Sequence, residues 1–137
     1  MATKRFHLGH VLTVTTGRML IPDGFKGVYD VLNHLTGDSL FTHQLPRAFD
    51  ECGPVLLARF PELGGQGVTD ALAKLDELLA VTARADVQML ITGWLAVLSG
   101  KLREYYDLEP IPRAAHARID PMVEAATMNP NVIEVRR

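Results

Sequence analysis

The apolar positions of the chain recur mostly at helical spacing. Leu8, Val11, Leu12 and Thr15 fall at i, i+3, i+4 and i+7, which predicts a short amphipathic helix closed by Gly17. Arg18 to Ile21 then reads as a brief extended run, ended by the turn Pro22-Asp23-Gly24. A second helix is predicted from about Phe25 to Leu35, with Phe25, Val28, Tyr29, Leu32 and Leu35 on one face and Gly37 as its cap. A third starts near Pro46, with Leu45, Phe49, Cys52 and Leu56 on one side. Pro54 lacks an N–H and crowds the preceding turn, so a kink or break is expected at Gly53-Pro54.

Gly64-Gly65-Gln66-Gly67 reads as a flexible connection, and its spacing is not that of a phosphate loop. Thr69 is a suitable N-cap, with Asp70 in the first turn of a fourth helix that carries Leu72, Leu75, Leu78 and Leu79 to about Val81. The fifth helix is predicted from about Ala85 to Tyr105. Its stripe is Val87, Leu90, Ile91, Trp94, Leu95, Leu98, Leu102 and Tyr105. Gly93, Ala96 and Gly100 lie on another face of it. Small residues there let a second backbone approach, either inside the domain or across a dimer interface, so they are the self-association candidates. Residues 106–119 hold Pro110 and Pro112 and should run extended. Asp120-Pro121 starts a sixth helix, as N-cap and first helical residue. Residues 128–137 form a C-terminal tail in which Val132 to Val135 read as a strand, pairing with Arg18–Ile21 or with Leu108–Ile111. The expected fold is mainly α: one compact domain, residues 1–137, of five to six helices with at most a short two- or three-stranded β element.

Composition narrows the function classes. The chain has 137 residues, 47% hydrophobic and 22% charged, with 14 basic and 16 acidic side chains and a formal net charge of -2. Those figures exclude collagen, a disordered tail and a disulfide scaffold. Basic residues are scattered except for Lys4-Arg5 and Arg136-Arg137, so nucleic acid is an unlikely partner by charge pattern. Cys52 is alone, which fits a reducing compartment. The first residues lack the apolar run of a signal peptide, and Val87 to Leu98 is shorter than the roughly 20 apolar residues of a membrane span. A cytoplasmic protein without membrane contact is therefore expected.

Chemistry-bearing residues form no recognised catalytic spacing. His7, His10, His34, His43 and His116 stand in no zinc-binding pattern, and no metal or cofactor is expected. Cys52 falls on an apolar helix face, where a thiol behaves as a small hydrophobe. The carboxylate pairs Asp50-Glu51 and Asp76-Glu77 read as solvated surface. Glu104, Asp107 and Glu109 read as a patch suited to a basic partner. The richest cluster lies in loops beside helix ends: Thr15-Thr16-Gly17-Arg18, Thr36-Gly37-Asp38 and Thr42-His43-Gln44-Leu45-Pro46-Arg47. Caps and turns account for many of these side chains. A shared partner-binding surface would use Arg18, Asp38, His43, Gln44 and Arg47.

The run Leu8-Gly9-His10-Val11-Leu12, then Thr15-Thr16-Gly17-Arg18, Gly27-Val28-Tyr29-Asp30-Val31-Leu32, Thr36-Gly37-Asp38 and Phe41-Thr42-His43-Gln44-Leu45-Pro46-Arg47, resembles a family of small phage and prophage proteins of unknown function. The similarity is close over about residues 8–60 and looser to about residue 126. It transfers no activity. It implies the context of a phage accessory factor, and such factors often block a host defence complex, as anti-CRISPR proteins do. The leading expectation is a non-enzymatic protein that binds and inhibits a host protein complex. The alternatives are a small hydrolase or nucleotide-binding protein using His43, Arg18 and Arg47, and a phage structural or regulatory dimer.

Overall fold

A short antiparallel ribbon closes the helical body. The computed structural model describes residues 3–21 and 24–128. Strand β1 (Lys4–His7) pairs with β2 (Tyr105–Leu108), and Phe6 stands opposite Tyr106. Alternation along β2 turns Tyr106 and Leu108 inward and leaves Tyr105 and Asp107 outside. This pairing was not among the expected ones. The tail assigned to a strand, residues 132–135, lies outside the described residues. Arg18–Ile21 is in no sheet, although Leu20 and Ile21 are buried and the Leu20 N–H donates to Thr13 Oγ1 at 3.0 Å.

Helix α1 (Leu8–Thr16) follows β1 directly and is the centre of the core, packed against α2 (Phe25–Thr36), α3 (Leu45–Arg59) and part of α5 (Val87–Lys101). His7 is extended and caps α1 by accepting the Gly9 N–H on Nδ1 at 3.0 Å. Gly9 permits the closest approach among the described glycines: a Cβ there would stand 2.7 Å from the Leu20 carbonyl and 3.0 Å from Leu95 Cδ1. Gly17 ends the helix at φ 73°, and its N–H returns to Thr13 O. Leu8, Val11 and Leu12 meet Val28, Val31, Leu32, Leu35, Cys52 and Leu56 in one buried cluster.

Several boundaries differ from those expected, each for a local reason. Helix α3 runs unbroken through Gly53-Pro54. Leu45, Ala48, Cys52 and Leu56 form a continuous buried face there, and Gly53 lets that face lie on the Val14 carbonyl, 3.3 Å from where a Cβ would be. The packing outweighs the missing proline hydrogen bond. The glycine run is divided between two elements: Gly64 ends a 3-10 turn over Pro61–Gly64, and Gln66 and Gly67 open α4 (Gln66–Ala80). Gly65 is the N-cap, because its carbonyl already accepts from Val68 and Thr69. Thr69 is thus inside the helix and not its cap. Helix α5 starts after a 3-10 turn at Arg84–Asp86 and stops at Lys101, four residues early. Pairing of β2 with β1, with Leu8 N–H donating to Glu104 O at 2.9 Å, captures the chain that would have continued it. Residues 106–119 contain part of β2 and a 3-10 turn at Arg113–Ala115. Helix α6 (Pro121–Met128) begins as expected, with Asp120 Oδ1 accepting the Met122 and Val123 N–H groups. Among the described residues the architecture is a single, mainly helical domain of six helices and one two-stranded sheet.

Phe25 was placed on the inner face of α2, but it is 63% exposed at the helix start. The stripe of α5 is buried only at Leu95 and Leu98. Leu90, Ile91, Trp94 and Leu102 are half-buried. Among the described residues no helix is long and apolar enough to cross a membrane.

Candidate functional site: a polar clasp and an uncovered helix face

The structure draws Asp38, Gln44 and Arg47 together with three residues from farther along the chain. Glu124, on the first turns of α6, sits against Arg47: Arg47 Nε donates to Oε2 at 2.7 Å and Nη2 to Oε1 at 2.8 Å. This is a two-pronged pair. Gln44 Nε2 donates to Glu124 Oε1 at 2.9 Å and to the Ile119 carbonyl at 3.1 Å. Arg47 Nη1 reaches Glu51 at 2.9 Å, one helical turn on, and also the Ala117 carbonyl. His116 lies between two carboxylates, with Nδ1 2.6 Å from Glu51 Oε1 and Nε2 3.0 Å from Asp38 Oδ2. Glu51 Oε2 also accepts the Ala117 N–H. Glu124, Glu51 and His116 side chains are 9%, 12% and 5% exposed.

The electrostatics follow from this pairing. Bonding to Arg47, and less to Gln44, holds the Glu124 carboxyl down at about 2, against a smaller opposing push from burial. The Asp38 carboxyl is lowered first by its bond to His116. Burial pushes Glu51 upward, but the Ala117 N–H, His116 and Arg47 together outweigh it, so its net shift is down. Arg47 is held protonated mainly by Glu124. These groups clasp residues 113–124 onto α3 and the α2–α3 loop. His43 adds to the clasp, with Nε2 2.7 Å from the Pro121 carbonyl.

Arg18 is not joined to this group. Its guanidinium pairs with Asp76 on α4, whereas Asp38, His43, Gln44 and Arg47 bond to residues between His116 and Glu124. The threonines beside Arg18 spend their hydroxyls on helix carbonyls: Thr13 on Gly9, Thr15 and Thr16 on Leu12. Glu51, read as solvated, is instead a member of the clasp. Asp107 of the acidic trio is paired with Arg5 across the ribbon at 3.1 Å. Glu104 lines a cavity of about 550 Å³ with His7, His10 and Ser99, and Glu109 is exposed. Cys52 is fully buried and burial pushes its thiol up to about 12, so the thiolate needed for nucleophilic attack does not form at neutral pH. Among the described residues no group of three or more His, Cys, Asp or Glu side chains could hold a metal ion.

The sequence reasoning missed Glu51, His116 and Glu124. Only the Arg47–Glu51 pair had a local signal, its i, i+4 spacing. His116 and Glu124 meet their partners across 65 to 80 residues of chain, which no spacing rule reports.

The remaining surface feature is apolar. Gly93, Ala96 and Gly100 are all exposed, and a Cβ placed on either glycine would meet nothing within 4 Å. Among the described residues the expected packing of this face inside the domain is therefore absent. Beside it, α4 and α5 enclose an open groove of about 610 Å³, with Leu78, Met89, Leu90, Trp94 and Val97 in its walls and Asp86 at one end. Trp94 Nε1 donates to the Ala71 carbonyl at 2.9 Å, which fixes the indole in the groove floor. Met89 is 76% and Val97 68% exposed.

Comparison with known proteins adds one family. The profile of a domain of unknown function (DUF7736) matches residues 6–66, which span β1 to the start of α4. The matched segment holds Arg18, Asp38, His43, Gln44, Arg47 and Glu51, but not His116, Glu124 or α5. No curated protein matches the chain, and no solved structure does.

Proposed function

We propose that the protein is an accessory factor that acts by binding another protein surface through the outer face of α5, with no chemistry of its own. The observation that carries this is an apolar helix face that, among the described residues, is left uncovered. Met89 and Val97 stand in water beside a groove floored by Trp94. Exposed apolar surface that is contiguous and grooved marks interaction sites. A helix apolar on every side normally has every side covered. The polar clasp supports the same reading by subtraction of duties: its members are engaged with one another and hold residues 113–124 in place. The resemblance to phage accessory proteins favours inhibition of a host defence complex as the purpose of the binding.

Photo-cross-linking inside the host cell tests this. A benzophenone amino acid replacing Val97 is expected to give protein adducts, while the same group replacing Lys26, on the exposed side of α2, gives far fewer. Equal yields from both positions, or none from Val97, would overturn the proposal.

A further inference from the structure

We propose that the cavity between the start of α1 and the C-terminal half of α5 binds a small organic cation: a protonated amine seated on Glu104, with an aromatic body lying on the apolar floor. Thr92, Leu95 and Ser99 face this cavity, whereas Leu90, Trp94 and Val97 face the groove against α4. The two sites lie on different flanks of the helix, so this inference does not rest on the protein-binding reading.

The walls set the shape of the guest. The volume of about 550 Å³ lies within the range of small-molecule sites, roughly 300–1,000 Å³. Leu95 and Ala96 make the apolar floor. Two rings held by the fold line the cavity as well. His7 accepts the Gly9 N–H on Nδ1 at 3.0 Å and meets Tyr105 edge-on at 5.5 Å, and His10 packs 5.6 Å from Phe6. Fixed rings favour a flat guest that can stack on them or meet them edge-on. The hydroxyls favour a donor. Ser99 Oγ donates to the Ala96 carbonyl and Thr92 Oγ1 to the Gln88 carbonyl, each at 2.9 Å, so both offer a guest only their lone pairs.

Charge selects a cation. The Glu104 carboxylate lines the cavity and has no partner among the described residues. No lysine or arginine lines it. The basic residues nearby in sequence are directed elsewhere. Arg103 pairs with Glu62 at 3.4 Å and covers the Phe60 and Tyr106 rings. Arg5 pairs with Asp107 at 3.1 Å, and Lys4 lies over the Phe6 ring. Lys101 leaves α5 about half a turn round the helix from Thr92 and Ser99, and Arg84 precedes the other end of α5. Ser99 and Glu104 stand at the C-terminal end of α5, where the helix dipole attracts positive charge. The positive end of α1 opens on the cavity too, but its first two N–H groups are bonded to the Glu104 carbonyl and to His7 Nδ1. An anion would meet the carboxylate with no basic side chain to hold it.

Tryptamine is a suitable probe, with tryptophol as its uncharged and indole-3-propionate as its anionic counterpart. In amide NMR of the full chain, millimolar tryptamine is expected to shift Thr92, Ser99 and Glu104 in a saturable way, and the two counterparts to bind far more weakly. Glu104→Gln should weaken tryptamine about tenfold, the lower end for a charge-assisted hydrogen bond. The Glu104 side chain makes no hydrogen bond among the described residues, so this variant keeps the fold. Ser99→Leu fills the cavity, gives up only a bond to its own helix, and should abolish the shifts with unchanged circular dichroism. No saturable shift at these residues overturns the proposal. So does tryptophol or indole-3-propionate binding as tightly as tryptamine, or a Glu104→Gln variant that binds like the wild type. Shifts confined to Met89 and Trp94 would place the amine in the groove against α4 and overturn it as well.

Discussion

Glu124→Gln removes one charge from the clasp and leaves its shape. The carboxyl of Glu124 is held at about 2, against an ordinary value of 4.5, and its side chain is 9% exposed. A depression of that size corresponds to about 3 kcal/mol of preference for the charged form in the folded state, at 1.36 kcal/mol per unit. Glutamine still accepts one hydrogen bond from Arg47 or Gln44, so the expected loss at pH 7 is about 2–3 kcal/mol, above the ~1 kcal/mol ceiling of exposed ion pairs. The sign with pH follows from a lowered carboxyl: its stabilisation is complete above the unfolded value and disappears as pH falls from about 4.5 through about 2. Urea unfolding followed by far-ultraviolet circular dichroism, at neutral pH and in steps down to pH 2, should show the gap between wild type and variant closing over that window. Amide exchange over α6 separates detachment of that helix from global unfolding. A neutral-pH difference below about 0.5 kcal/mol, within the range of ordinary surface substitutions, would refute the buried-clasp reasoning. So would a gap that stays constant to pH 2.

Other perturbations probe separate parts of the account. Gly9→Ala places a Cβ 2.7 Å from a backbone carbonyl, and overpacking of this kind should cost about 1–3 kcal/mol by thermal or chemical unfolding. Gly93→Ala meets no neighbour, so in the isolated chain it should raise stability by about 1 kcal/mol through helix propensity. Trp94→Ala should cost about 2–3 kcal/mol, below the 3–5 of a fully buried tryptophan, because the indole is half-buried with one hydrogen bond to Ala71. Cys52 should react with a thiol reagent only at the rate of unfolding, and fast labelling of the native chain would contradict its burial.

The helices were legible because their hydrophobic period is local. Leu8 to Thr15, Val28 to Leu35 and Leu72 to Leu79 carry their own spacing, and Gly17, Gly37 and Asp120 their own caps. The errors arose where distant contacts decide. Nothing near Tyr105 shows that β1, about a hundred residues earlier, will take it out of a helix. Nothing near Pro54 shows that α1 will hold the helix through it. In the polar cluster, Asp38, Gln44 and Arg47 were visible as loop and helix-end residues, but their use was not. It depends on His116 and Glu124, which arrive only after the chain has folded back. The small face of α5 was readable as Gly93, Ala96 and Gly100. That the described residues leave it bare was not, since exposure is a property of the whole packing.

The central claim divides the molecule into a clasp that holds the fold and a helix face that binds protein. Amide hydrogen exchange of the chain alone and with the protein captured through Val97 tests both halves in one measurement. The account predicts that residues 89–100 gain protection in the complex, while residues 38–51 and 113–124 show the same protection in both. Protection gained at the clasp with none at α5 would contradict it.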